Sequence, residues 1–376
     1  MARISSGAAT VHATRTPGAV SRGTAARNPR RRGKRMKAVV LAAGRSTRTY
    51  PLTLTRPKPT LPLLGKPLLA HTLDALAAVA DEAIIVVGYR AEMVRAAFGE
   101  SCADLKLKYI RQAEQRGTAD AVATAREAVA GEFLVVNGDD YYGPENVKTI
   151  AAGSGAAILG APVPSAGSFG VLKADKGFLR GIDEKAGGET AALVNTGFYK
   201  VDEKIFDYVK RLEPSPRGEL EFTAALEGYA ADHPVAVVET ASVWLPVATA
   251  HDLLAAQLRL WPRREATFLG GGDCRISAAA AVGGRSVLGT GCDVGANAVV
   301  EASLLLDGVT VGEGAAVTGS VLGEGAVVGA AAVVDGAVLG DGARVGESAR
   351  VEAGSRVWPD AEIAPGSIVS GDVKRK

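Results

Sequence analysis

Between Lys37 and about Val247, short apolar runs alternate with stretches whose apolar residues return every three or four positions. KAVVLAA (37–43), AIIVVG (83–88), LKLKYI (105–110), EFLVVNGDD (132–140), AAILGAP (156–162) and ALVNTGFY (192–199) predict strands. PLLAHTLDALAAVA (67–80), GTADAVATAREAVA (117–130), VDEKIFDYVKRL (201–212) and HDLLAAQLRLW (251–261) predict helices, the first with Pro67 near its opening turn. This alternation predicts an α/β fold with a mainly parallel, Rossmann-like sheet covered on both faces. Such sheets bind ligands beyond the carboxyl ends of their strands, the place expected for the loops after Ala43 and Gly138.

Beyond residue 262 the pattern changes. Apolar residues recur at 276, 282, 288, 294, 300, 305, 311, 317, 322, 328, 334, 339, 345, 351, 357 and 363. Every interval is six except 300→305, 317→322 and 334→339, which are five and stand 17 apart. Four positions after most of these comes a small residue: Ser286, Cys292, Ala298, Ala315, Ala326, Ala332, Ala343, Ala349 or Ser355. A period of six fits neither a helix nor an alternating strand. It fits a coil with three short flat sides, the branched residue pointing inward and the small one beside a corner. Each coil pairs its backbone with its neighbours, so no single repeat is stable alone. The run resembles the left-handed parallel β-helix of hexapeptide-repeat proteins and covers roughly 276–369, about five coils. The expected organisation is a basic extension (1–35), an α/β domain (36–262) and a β-helix (263–372).

Charge changes the picture at the N-terminus. The formal net charge is +2, yet residues 1–35 hold nine Lys/Arg and no acid, leaving 34 bases against 41 acids in the remainder. The body is mildly acidic, so the overall charge implies no nucleic-acid partner. Residues 1–35 have no apolar periodicity and no apolar secretory core; they are expected to be disordered. Three readings stand open for them: a start at Met36, a flexible basic arm, or an organelle transit peptide, the first being favoured. Cys102, Cys274 and Cys292 lack metal-ligand spacing and read as small hydrophobes in a reducing compartment, with the cytoplasm the expected location. No apolar run is long enough to span a bilayer, and no membrane partner is expected.

The stretch LAAGRSTRTYPLTLTRPKP (41–59) carries four cations and no acid. Those charges repel one another unless an anion enters. A glycine-bearing turn after a strand brings backbone N–H groups close to a phosphate, and Arg48 and Lys58 would neutralise it. The stretch is neither a Walker A loop nor a GxGxxG fingerprint.

The longer string LAAGRSTRTYPLTLTRPKPTLPLLGKPLLAH resembles the signature of sugar-1-phosphate nucleotidyltransferases, over about 37–260. It is most similar to archaeal-type UDP-N-acetylglucosamine pyrophosphorylases, which also carry a C-terminal β-helix. The resemblance implies that Ala43 and Gly44 bind the nucleotide, that Arg48 grips the leaving pyrophosphate and that Lys58 contacts the α-phosphate. Lys66 matches a lysine of the extended signature, or simply enters a helix. RQAEQRGTADA resembles the base-reading segment and nominates Gln112, Gly117 and Thr118 for the nucleotide; a glutamine amide offers both a donor and an acceptor to a pyrimidine edge. VVNGDDYY matches the strand-end acid that holds Mg²⁺, here Asp139, with Asp140 read as a turn residue. Gly170, Glu184, Lys185, Asn195 and Thr196 match sugar-binding positions. The implied activity is nucleotidyl transfer from an NTP, UTP foremost, to glucose or N-acetylglucosamine 1-phosphate. The neighbouring reading is dTTP with glucose 1-phosphate.

The chain departs from the family pattern in four places. Ser46 stands where glycine is frequent, tolerable if its φ stays negative. Pro246 stands where a second metal ligand is expected, with Asp252 six residues on. That departure motivates a rival reading, a non-catalytic nucleotide-sugar sensor. The four histidines, His12, His71, His233 and His251, all precede the repeat. Histidine-based acetyl transfer in the β-helix is therefore not expected; the domain reads as a stacking platform for a homo-oligomer (trimer, dimer or tetramer) or an effector site. The N-terminal extension has no family counterpart.

Overall fold

The structure is a computed structural model that describes residues 36–167, 169–184, 190–262 and 266–375. Residues 1–35 and Lys185 lie outside the described residues. The strands of the first domain are β1 (Met36–Ala42), β2 (Ala80–Val87), β3 (Leu105–Arg111), β4 (Phe133–Asn137), β5 (Ala156–Val163), β6 (Val171–Asp175), β7 (Phe178–Asp183), β8 (Ala192–Val201) and β9 (Val235–Glu239). Their order in the sheet is β6-β7-β9-β5-β8-β4-β1-β2-β3, with Ser101–Cys102 at the outer edge. The row β4-β1-β2-β3 is parallel throughout. The other half is mixed: β8 runs antiparallel to both β4 and β5, and β6 to β7. The β6–β7 hairpin turns on Lys176 and Gly177, both with positive φ, the backbone twist that a two-residue turn needs.

Helices cover both faces because β1 alternates its side chains. Val39 joins a core with α3 (Thr118–Thr124), α5 (Ile205–Val209) and α6 (Phe222–Asp232). Ala38 and Val40 join the opposite core with α1 (Leu68–Leu76), α2 (Ala91–Phe98) and α4 (Pro144–Ala152).

The repeat region forms three parallel sheets of seven, six and six strands, between Phe268 and Val373, the stacked arrangement of a left-handed β-helix. That is about one coil more than the apolar period suggested. From Leu288 to Ile363 the periodic apolar residues are buried, as are the small corner residues. Ladder partners lie 17 residues apart where a five-residue step intervenes, 18 apart in the coils without one, and 16 apart in the last pairing, Arg356 with Asp372. Corner serines form a ladder: the N–H of Ser303 donates to Ser286 Oγ, that of Ser320 to Ser303 Oγ, and that of Ala337 to Ser320 Oγ. Cys274 and Cys292 precede the paired residues Arg275 and Asp293, which brings together on neighbouring coils two cysteines that looked distant in sequence.

The seven-stranded face carries a second, outward stripe: Val287, Leu304, Val321 and Val338, aligned strand by strand. This stripe is buried against Leu52, Leu61 and Leu63 of the charged loop and against Leu253 and Leu254 of α7 (Ala250–Leu260). Fully burying side chains of this size stabilises by about 1.5–3 kcal/mol each. The β-helix is therefore docked on the loop that follows β1.

Candidate active site

Four parallel strands deliver their carboxyl ends to one edge. β1 ends at Ala43–Gly44, β2 at Gly88–Tyr89, β3 at Gln112 and β4 at Gly138–Asp139. The antiparallel β8 brings Asn195–Gly197 to the same edge, because Phe198 pairs with Val136 in β4. Glycine makes the close approaches possible. A Cβ at Gly138 would stand 2.9 Å from the Leu41 carbonyl, and one at Gly88 2.8 Å from the Ala43 carbonyl.

Gly44 is different. A Cβ there would meet no protein atom within 4 Å, and its φ is not positive. Neither packing nor backbone conformation demands this glycine, which fits a residue kept bare for close approach by a ligand. Its neighbour Ala43 is buried, its carbonyl accepting the Tyr89 N–H at 3.0 Å and the Gln115 amide at 2.8 Å.

The charged loop folds as three short 3₁₀ turns, Thr47–Thr49, Leu52–Leu54 and Lys58–Thr60. Its four cations separate by role. Lys58 is buried and donates to Asp139 Oδ2 at 2.9 Å. Arg56 donates from one guanidinium nitrogen to Glu324 at 2.7 Å and Asp341 at 2.6 Å, both on the β-helix. Arg45 and Arg48 are exposed. Ser46 has φ 50° and ψ 53°, so the condition of negative φ fails: the position is left-handed, the conformation glycine adopts without strain. Tyr89 and Arg90 support the loop from β2, donating to the carbonyls of Thr53 and Leu54. The support from Tyr89, Arg90 and Arg56 escaped the sequence reading.

Asp140 is more than a turn residue. Its Oδ1 accepts the Val247 N–H at 3.0 Å, which ties the segment carrying Pro246 to the strand end. Burial, with the charge of Asp139 beside it, pushes the Asp140 carboxyl up to about 7, against the pull of Lys58 and the Val247 N–H. Asp252 is not a metal ligand in waiting. Its Oδ2 accepts the N–H groups of Ala248 and Thr249 and the Thr249 hydroxyl, capping α7.

A divalent cation fits this edge only with help from a ligand. Among the described residues no three His, Cys, Asp or Glu side chains converge. Asp139 gives one oxygen to Lys58 and its side chain is 38% exposed. A hard cation of magnesium's kind is commonly held by one or two carboxylates, with water and substrate phosphates completing its shell.

Of the base-reading candidates, Gln112 is buried, its Nε2 donating to the Gly117 carbonyl at 3.1 Å and to Asp120 at 2.8 Å. Both donor hydrogens are spent, and Oε1 alone is left for a ligand. Gly117 (φ 121°) packs on the Leu220 backbone, where a Cβ would lie 2.4 Å from the carbonyl oxygen. The Thr118 hydroxyl accepts the N–H of Phe222 and starts α6, a structural duty. Gly170, Glu184 and Asn195 gather together: the Gly170 carbonyl accepts the Asn195 N–H at 2.8 Å, and a Cβ on Gly170 would meet Glu184 Oε1 at 3.4 Å. The Asn195 amide is held by Tyr199 and by the Gly197 N–H. Thr196 is sealed, its hydroxyl donating to the Leu159 carbonyl. Lys66 pairs with Asp74 of α1.

A family profile described as nucleotidyl transferase matches residues 37–261, and one described as GMPPB C-terminal domain matches 267–373. Among relatives, the bifunctional protein GlmU of Methanococcus maripaludis is 33% identical over 227 residues, covering 60% of this chain and 54% of that protein. The chain thus spans about half the length of the GlmU relatives it matches. The UTP–glucose-1-phosphate uridylyltransferase AglF of Haloferax volcanii is 32% identical over 200 residues, covering 51% of this chain and 82% of that protein. Among solved structures, a putative glucose-1-phosphate thymidylyltransferase from Bacillus anthracis superposes with TM-score 0.55 at 26% identity, over 61% of this chain and 97% of that one. A UDP-glucose pyrophosphorylase complexed with UDP-glucose shares the fold, with TM-score 0.54 at 20% identity, over 61% and 99%. On these matches the chain belongs to the nucleotidyl transferase family.

Proposed function

We propose that this protein transfers a uridylyl group from UTP to a sugar 1-phosphate, glucose or N-acetylglucosamine 1-phosphate, giving the UDP-sugar and pyrophosphate. The observation that carries the reading is the buried Lys58 facing Asp139 where adjacent parallel strands end, beside a glycine that packing does not require. A phosphate oxygen of the sugar phosphate attacks the α-phosphorus in line as the bond to pyrophosphate breaks, with no covalent enzyme intermediate. Both partners are anions, so the protein's work is positioning and charge. Lys58 serves the α-phosphate, Arg48 the departing pyrophosphate, and the amides around Ala43–Gly44 the phosphate chain. Gln112 reads the base, with Gly117 and Thr118 shaping its rim. Gly170, Glu184 and Asn195 hold the sugar, with Thr196 fixing their strand. We assign Mg²⁺ to Asp139; when bound, it neutralises phosphate charge.

Pyrophosphate release tests the reading, using Mg²⁺ with UTP, dTTP, CTP, ATP and GTP against glucose and N-acetylglucosamine 1-phosphates. Release with UTP, abolished by Lys58→Ala or Asp139→Ala, supports it. Preference for dTTP with glucose 1-phosphate points to the thymidylyltransferase reading. Binding without turnover across the panel points to the sensor that Pro246 motivates. Assembly through the β-helix is a separate expectation, which the sedimentation mass in solution tests.

A further inference from the structure

The loop that carries Lys58 is held by the repeat domain. Arg56 is two residues from Lys58 and 16% exposed at its side chain. It bridges Glu324 and Asp341, which stand on neighbouring coils, 17 residues apart. Asp341 is itself fixed: its other oxygen accepts the N–H of Glu324 at 2.9 Å, so the stacking of the coils sets where the carboxylate points. A second contact reinforces the first, Tyr50 meeting Trp358 edge to face at 6.1 Å.

The segment between Arg56 and Lys58 has little slack. The order is Arg56-Pro57-Lys58-Pro59, so both charged residues precede a proline and both prolines have a fixed φ. The prolines leave the backbone little freedom to absorb a displacement of Arg56 before Lys58, whose buried side chain is held against Asp139. The Arg56 Nε is buried without an acceptor among the described residues.

We infer that Glu324 and Asp341 of the β-helix, acting through Arg56, position Lys58 for nucleotidyl transfer, so that the repeat domain is a working part of the active site. Arg56 is a positioning residue on this reading; it touches neither substrate nor metal. The inference rests on the proposed nucleotidyl transfer for its kinetic consequence, though not for its geometry.

The test uses the full chain with Asp341→Asn and Arg56→Lys, and Glu324→Gln should Asp341→Asn fail to fold. Three quantities are read: kcat and KM for each substrate, the melting temperature, and the rate at which acetic anhydride acetylates Lys58, followed by peptide mass. Asp341→Asn is expected to lower kcat by roughly tenfold, since small misplacements of a positioned group cost one to two orders of magnitude. The KM for the sugar 1-phosphate stays unchanged, and Lys58 is acetylated several-fold faster. Arg56→Lys, which keeps the charge, retains most of the rate. Arg275→Ala, which breaks a surface pair with Asp293 elsewhere on the β-helix, leaves all three quantities as they are. A fall in melting temperature with kcat and Lys58 acetylation both unchanged would overturn the inference. If the unsubstituted protein releases no pyrophosphate with any substrate, the functional reading fails, and Lys58 acetylation alone decides the clamp.

Discussion

Lys58 meets Asp139 at 2.9 Å with its own side chain 3% exposed and that of Asp139 38% exposed. The pair bridges the loops that follow two adjacent parallel strands, β1 and β4. One partner is sealed in protein and the other is open to whatever enters the edge of the sheet. The two ends of the ion pair are therefore unequal in their access to water.

That inequality sets an order of stabilities. Asp139→Ala leaves an ammonium group buried without its partner, a loss of about 3 kcal/mol. Lys58→Met keeps the buried stem and leaves a carboxylate that water reaches, so it costs less than about 1 kcal/mol. On the proposed function, both substitutions are expected to abolish turnover. Urea unfolding of the two variants checks the order; equal or reversed costs would show that the lysine is not the buried partner.

Ser46 holds a left-handed backbone, and its side chain makes no cap hydrogen bond; its carbonyl accepts the Thr49 N–H and the Thr53 hydroxyl. Left-handed φ costs an L-residue about 1–2 kcal/mol, partly offset in glycine by the entropy of a freer unfolded chain. Ser46→Gly is expected to stabilise by about 0.5–1 kcal/mol, and Ser46→Val to destabilise by more than that. Thermal melts of both variants measure it.

The sequence made some of this architecture readable and hid the rest for physical reasons. The interior of the β-helix was legible because a six-residue period has one geometric solution, and the strand-end loops because parallel strands place their ligands at one edge. The outward stripe Val287, Leu304, Val321 and Val338 was also present as a 17-residue repeat, one position before the inward residues. It went unread because an outward apolar residue has meaning only once its partner surface is known. Arg56 stood out in the sequence only as one of four cations in the loop. Its acidic partners lie 268 and 285 positions away, and only the docking of two domains brings them near. Thr118 and Thr196 carry motif positions, yet their hydroxyls are committed to Phe222 and Leu159. A motif fixes residue types and leaves hydrogen-bond partners open.

His71 of α1 hydrogen-bonds through Nε2 to the Leu63 carbonyl at 2.9 Å and holds the end of the charged loop. Burial lowers its pKa from the ordinary 6.5, the Leu63 carbonyl opposing the shift. The unfolded chain therefore binds a proton more readily than the folded one just below pH 6.5. The stability contributed by neutral His71 is complete above that value and is lost as pH falls through the folded pKa. His71→Gln keeps a donor and removes the titration. The gap between urea midpoints at pH 7.5 and 5.5 is expected to shrink in this variant; an unchanged gap would place the titration elsewhere.

On the proposed function, the hydrogen bonds of Gln112 predict which bases the site accepts. Its Nε2 faces a carbonyl and a carboxylate, both acceptors, so the amide orientation is fixed by its partners. Asp120 is in turn held by Arg116 at 2.6 Å, which keeps the amide from turning. What remains for a base is the acceptor Oε1. Uracil and thymine present an N3–H donor to it, whereas cytosine presents an unprotonated N3 and would set acceptor against acceptor. UTP and dTTP are expected to be used at comparable kcat/KM, with CTP weaker by roughly a hundredfold or more, since a buried polar group left unmatched is costly. Gln112→Met removes the acceptor without adding charge; it lowers kcat/KM for UTP and narrows the gap to CTP. Gln112→Glu sets a second carboxyl beside Asp120 in a buried place and destabilises the fold instead. The check is kcat/KM for the three nucleotides in the unsubstituted protein and in Gln112→Met. Equal use of CTP and UTP would show that the imide hydrogen is read by some other group.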